Sequence, residues 1–107
     1  PVMDDALRRR LLLCLESLLP GLGADWLAQI EQAQQRQPGD AGLQYLAGQA
    51  YLQRQLWGKA ASLLGQASAQ LTDPDLARRC WCSLARLAEE RGDTDAARVA
   101  WKKAALL

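Results

Sequence analysis

The residues closest to a reactive motif are Cys80-Trp81-Cys82. On a helix, residues two apart point about 200° apart, so these sulfurs do not converge on an ion or on each other. No second cysteine pair and no histidine completes a metal site. The chain has no histidine at all, which removes the commonest metal ligand, the usual haem ligand and the usual general base. The three cysteines, Cys14, Cys80 and Cys82, are an odd count that does not read as a disulfide framework and fits a reducing compartment. Cys80 and Cys82 read as small buried hydrophobes. Glu89-Glu90 could suggest paired carboxylates, but they stand at a helix end, where dipole interactions explain them. No Ser, Cys or Thr has a neighbouring base to activate it, and the glycines are scattered among turns, which forms no phosphate loop. The expectation is no catalytic residue, no metal, no cofactor and no enzyme. Trp26, Trp57, Trp81 and Trp101 fall at helical spacing and read as core or inter-helix residues, with Trp57 the most exposed.

The elements that hold these residues are helices. Leu and Ala dominate, Phe is absent, Val occurs twice and Ile once, so helix formers abound and strand formers are nearly missing. A chain of 107 residues, half of them hydrophobic, suits one domain and not a disordered segment. With 13 basic and 12 acidic residues there is no general field for nucleic acid or membrane. Arg8-Arg9-Arg10 splay around a helix and read as a solvated face. The longest apolar stretch, Leu11 to Leu19, is short and broken by Glu16, so it cannot cross a bilayer, and no signal-peptide pattern is present. Pro1 and the apolar tail Ala104-Ala105-Leu106-Leu107 read as cuts through a longer chain.

Six helices are expected, at about 5–19, 25–37, 41–55, 57–71, 74–91 and 94 to the end. Asp4 or Asp5, Asp40, Asp73 and Asp93 serve as caps, and Pro74 stands at a first helical position. The connections are short, which favours antiparallel neighbours and hence three hairpins.

Two of these hairpins align. Gly48 falls on Ala85 and Ala60 on Ala97, both at an offset of 37 (85 − 48 and 97 − 60). Leu64 then falls on Trp101 and Ala67 on Ala104. Small residues let two helix axes approach, and the large ones beside them (Tyr51, Leu64, Trp81, Trp101) fill the space between successive hairpins. The pattern resembles the tetratricopeptide repeat, whose period is about 34 residues. The expected fold is all-α: a right-handed superhelix of antiparallel hairpins in one domain over 1–107. Residues 41–74 and 75–107 form two repeats, and 1–40 a divergent hairpin or a cap. In that register Tyr45, Gln49, Leu52 and Gln53 line an inner groove from one helix. Arg79, Cys82, Arg86 and Glu89 line it from the next. Amides, guanidinium groups and one aromatic suit an extended peptide or an acidic segment, so a protein or peptide partner is expected.

A more specific resemblance runs through Leu43-Gln44-Tyr45-Leu46-Ala47-Gly48, then Gln53-Arg54-Gln55-Leu56-Trp57-Gly58-Lys59-Ala60, and Ala88-Glu89-Glu90-Arg91-Gly92-Asp93. From about Trp26 onward the chain resembles the C-terminal part of the HemY-type proteins of proteobacteria. The resemblance implies tetratricopeptide repeats held at the bacterial inner membrane, on its cytoplasmic face, by N-terminal hydrophobic segments. It implies a scaffold role in late haem synthesis, with a haem-synthesis enzyme as partner. Direct porphyrin or haem binding is the alternative, in which only Cys, Tyr or Met could ligate iron. The unpaired apolar ends also lead us to expect self-association of the fragment.

Overall fold

The computed structural model describes residues 4–107. Pro1, read above as a cut end, and Met3, a candidate iron ligand, lie outside the described residues. Six α-helices follow one another: α1 (Asp5–Leu18), α2 (Ala24–Arg36), α3 (Ala41–Gln53), α4 (Trp57–Gln70), α5 (Pro74–Glu90) and α6 (Thr94–Ala105). A 3-10 turn over Leu19–Gly21 joins α1 to α2. No strand occurs among the described residues, and none of these helices is long and apolar enough to cross a membrane. The chain is all-α.

Each start has a local cause. Asp4 accepts from the Leu7 amide at 2.7 Å and Asp40 from that of Leu43 at 3.0 Å. Asp73 accepts from Asp75 and Leu76 at 2.9 and 3.2 Å, and Asp93 from Ala96 at 3.0 Å. These bonds satisfy amides that have no partner inside the helix.

The turns after α3 and α5 are the same structure. Gln55 and Gly92 both take a left-handed conformation, with φ of 60° and 75°. The Leu56 amide donates to Tyr51 and the Asp93 amide to Ala88, each at 2.9 Å. The Gln55 amide donates to Leu52 and that of Gly92 to Glu89, each at 3.0 Å. This is the paired bonding of a Schellman end, and every one of its positions recurs at the sequence offset of 37 (92 − 55 and 93 − 56).

The most extensive pairings are α3 with α4 and α5 with α6. Gly48 makes the first possible: a Cβ there would meet the Leu64 Cγ and Cδ2 atoms at 2.8 Å. Ala60, Leu64, Ala67 and Ala85 are fully buried, and Ala97 and Ala104 nearly so. Helix α3 is the centre of the molecule. Every residue from Gln44 to Tyr51 is buried, because α1, α2, α4 and α5 all pack on it.

Residues 1–40 are expected from the sequence to form a divergent hairpin or a cap. Helix α1 packs chiefly on α3, while α2 packs on α3 separately. The 3-10 turn and Gly23 let the chain change direction between them, and Leu12 and Leu19 bury on the α3 side. Trp26, not Trp57, is the most exposed tryptophan, at 59 %; Trp57 packs against the core.

Candidate functional site

Helices α3 and α5 lie side by side, joined by a hydrogen bond from Gln49 Nε2 to Ser83 Oγ at 2.7 Å. The furrow between them is where the sequence places an open groove. In the structure α1 lies over it. The pairings progress in chain order along all three helices. Arg8 pairs with Asp40, at the cap of α3. Arg9 reaches Asp73, at the cap of α5, at 3.0 Å, and Asp75 at 3.4 Å. Further along, Glu16 accepts from the Tyr45 hydroxyl and from Arg79 Nη2, the latter at 2.8 Å. Helix α1 therefore runs parallel to α3 and α5 and bridges them.

The charge pattern follows from these contacts. Burial and the Glu16 carboxylate raise the Tyr45 pKa well above its ordinary 10.0, so Tyr45 stays a neutral donor. The hydrogen bond to Glu16, and then that to Tyr45, raise the Arg79 pKa further above its ordinary 12.5. One carboxylate thus receives a phenol and a permanent cation, a charge-assisted arrangement.

The groove residues named from the sequence separate into three groups. Tyr45 and Gln49 are buried beneath α1 rather than open, because Glu16 and Leu19 cover that side of α3. Arg79 is exposed and engaged with Glu16. Leu52 is half-buried and Gln53 exposed, and both line a cleft of about 300 Å³ beside the end of α1. Arg86 and Cys82 border a second cleft of about 200 Å³ together with Arg79. Glu89 is exposed and borders neither cleft; Trp101 Nε1 donates to it at 3.2 Å. Arg86 also stands over the Trp101 ring, 6.0 Å from its centre.

Sequence reasoning missed Arg8, Arg9 and Glu16. Arg8 and Arg9 read as a solvated face, yet each meets the capping aspartate of another helix. Helical spacing shows which residues share a side of α1 but not what that side meets.

The cysteines behave as hydrophobes or surface groups. Cys80 is buried, its thiol donates to the Leu64 carbonyl at 3.2 Å, and burial pushes its pKa up to about 12. Cys82 is half-buried and Cys14 exposed. Among the described residues no cluster of three or more His, Cys, Asp or Glu side chains is placed to hold a metal ion. No protein-family model, curated protein or solved structure matches this chain.

Proposed function

We propose that this chain is a non-catalytic protein-interaction scaffold, a stack of tetratricopeptide-like hairpins that binds a partner on the α3–α5 side. The observation that carries the reading is the Glu16 carboxylate held by Tyr45 and Arg79: this surface already grips a helical segment, in part through an acid. The recurrence of the α3–α4 turn, bond for bond, after α5 supports the repeat architecture. Stacked hairpins of this kind bind through the helices that line one side of the stack. The resemblance that runs from about Trp26 onward would put the partner among the enzymes of late haem synthesis, with the repeats held at the inner membrane.

A photo-crosslinking residue tests the scaffold reading. Placed at Gln53 or Arg86, it should capture one discrete protein in the native cells. Placed at Ser62, on α4, it should not. Equal capture from all three sites, or none, overturns the reading.

The porphyrin alternative would use the groove of about 760 Å³ between α5 and α6, lined by Trp81, Leu84, Leu87 and Val99 together with Arg91, Asp93 and Asp95. The groove offers a ring to stack on but no Cys, Tyr or Met to ligate iron. A Soret shift on titration with haem, lost in Trp81→Ala, would favour it over the scaffold.

A further inference from the structure

The furrow that holds α1 has the features of a receptor, and α1 those of a replaceable ligand. The polar contacts are complementary along its whole length. The furrow presents carboxylates (Asp40, Asp73) to the arginines early in α1, and a cation with a phenol to the glutamate two turns later. Between them Leu12 enters beside Gly42, so close that a Cβ on Gly42 would lie 2.9 Å from its Cδ1 atom. A helix docks here in one direction and one register.

The fit is nevertheless loose. Of the 14 residues of α1 only Leu12 is buried. Clefts of about 460, 300 and 200 Å³ flank the seam, and side chains facing such gaps forfeit dispersion attraction. Ion pairs whose arginines are 33–51 % exposed hold the two ends, and solvent at the guanidinium groups makes such pairs sensitive to salt. The tether touches the core through Leu19 and Leu22. Pro20-Gly21-Leu22-Gly23 follows α1, and both glycines face open space. A segment with so few buried contacts is among the first to open locally.

The charge count gives the partner's chemistry. Arg79 and Arg86 border the cleft that receives Glu16, and Arg78 beside them is already paired with Asp75. Helix α1 brings one carboxylate to Arg79 and Arg86, so a helix with a further acid around that position would be held better.

We propose that the α3–α5 furrow is a binding site for an amphipathic helix of a partner protein, basic in its first turns and acidic two turns later, and that α1 is a tethered competitor that keeps it closed. The occupant carries a leucine at the Leu12 position and a glutamate one turn later. This rests on the scaffold reading above and adds to it a ligand class and a means of control. A short tether holds α1 at an effective concentration in the millimolar range, so only a better-matched helix displaces it.

The test uses the whole chain and a labelled synthetic probe spanning residues 4–22, with Cys14→Ser. The unmodified chain should bind the probe at least about tenfold more weakly than a chain opened by Leu12→Asp with Glu16→Ala. In the opened chain, Arg79→Glu should weaken the probe about tenfold, and a probe bearing Glu16→Arg should recover that loss. Equal binding to the closed and opened chains overturns the proposal. So does an opened chain that melts cooperatively yet binds no probe, and so does one that no longer folds, since α1 would then be integral to the domain. Hydrogen exchange on the unmodified chain gives an independent reading. The amides of α1 should exchange ahead of those of α3 and α5, and faster at high salt; uniform protection across the three helices contradicts displacement. If the probe fails while cross-linking from Gln53 still captures a partner, the competitor is wrong and the scaffold stands.

Discussion

Gly48 shows how one residue sets a helix spacing. Its missing side chain leaves room for Leu64, whose Cγ and Cδ2 atoms would lie 2.8 Å from an added Cβ, with the Leu64 backbone nitrogen behind them at 3.3 Å. Gly48→Leu should destabilise the domain by roughly 1–3 kcal/mol or more, because α3 and α4 would have to separate. An unchanged melting temperature would show that the two axes can part freely. Trp101 is the opposite case. It lies at the free side of α6, 37 % exposed, with its indole N–H on Glu89. Trp101→Ala should therefore cost about 1–2 kcal/mol, below the about 3–5 kcal/mol of a fully buried tryptophan. Urea unfolding measures the difference, and a loss in the upper range would mean that Trp101 packs more deeply than its exposure indicates.

Among elements, the two Schellman turns differ in one useful respect. The left-handed position is glycine after α5 and Gln55 after α3. A non-glycine residue there is strained by roughly 1–2 kcal/mol, and glycine's greater freedom in the unfolded chain offsets about half of the gain. Gln55→Gly should stabilise the domain by about 0.5–1 kcal/mol in thermal or denaturant unfolding; destabilisation would mean that the Gln55 side chain makes a contact of its own. The start of α3 responds to acid. Burial acts to raise the Asp40 pKa, but the Arg8 hydrogen bond and the Leu43 amide outweigh it, and the carboxyl sits below its ordinary 3.8. A lowered folded-state pKa stabilises fully above the unfolded value, and the stability is lost as pH falls through the folded one. Compared with Asp40→Asn, which can still cap the helix, the unmodified chain should lose stability preferentially between about pH 4 and pH 2. A constant difference across that range would show that the Asp40 charge contributes nothing.

At the level of the molecule, α1 has two apolar sides and the fold uses one. Leu12 and Leu19 are buried, whereas Leu7, Leu11, Leu15 and Leu18 stay 41–52 % exposed. These four follow helical spacing and form a stripe on the outside of the domain, and Leu106 and Leu107 leave a second apolar end. Unpaired apolar surface of this kind favours association. The chain should sediment as a concentration-dependent dimer or larger species. Leu11→Lys with Leu15→Lys should shift it towards monomer without loss of helix, since neither residue is buried. A strict monomer at all concentrations would show that the stripe is too small to associate. An exchange of α1 between copies predicts a different response: dimers would then survive the lysine pair and dissociate on Leu12→Asp.

The amino-acid sequence by itself determined the helices, most of their ends and the partners within two hairpins. Capping aspartates, a proline at a first turn and small residues at matched positions act through neighbours a few residues away, so they can be read along the chain. Gly48 against Leu64 and the common turns at Gln55 and Gly92 belong to that local order. The seat of α1 does not. Leu12 and the leucine stripe beside it are alike in type, and only the tertiary fold decided which side would be buried. Arg9 and Asp73, or Glu16 and Arg79, lie about 63 residues apart in the chain, and no periodicity connects them. They meet because a five-residue link, Leu19–Gly23, lets α1 leave α2 and settle where α3 and α5 offer charges of opposite sign in the right order.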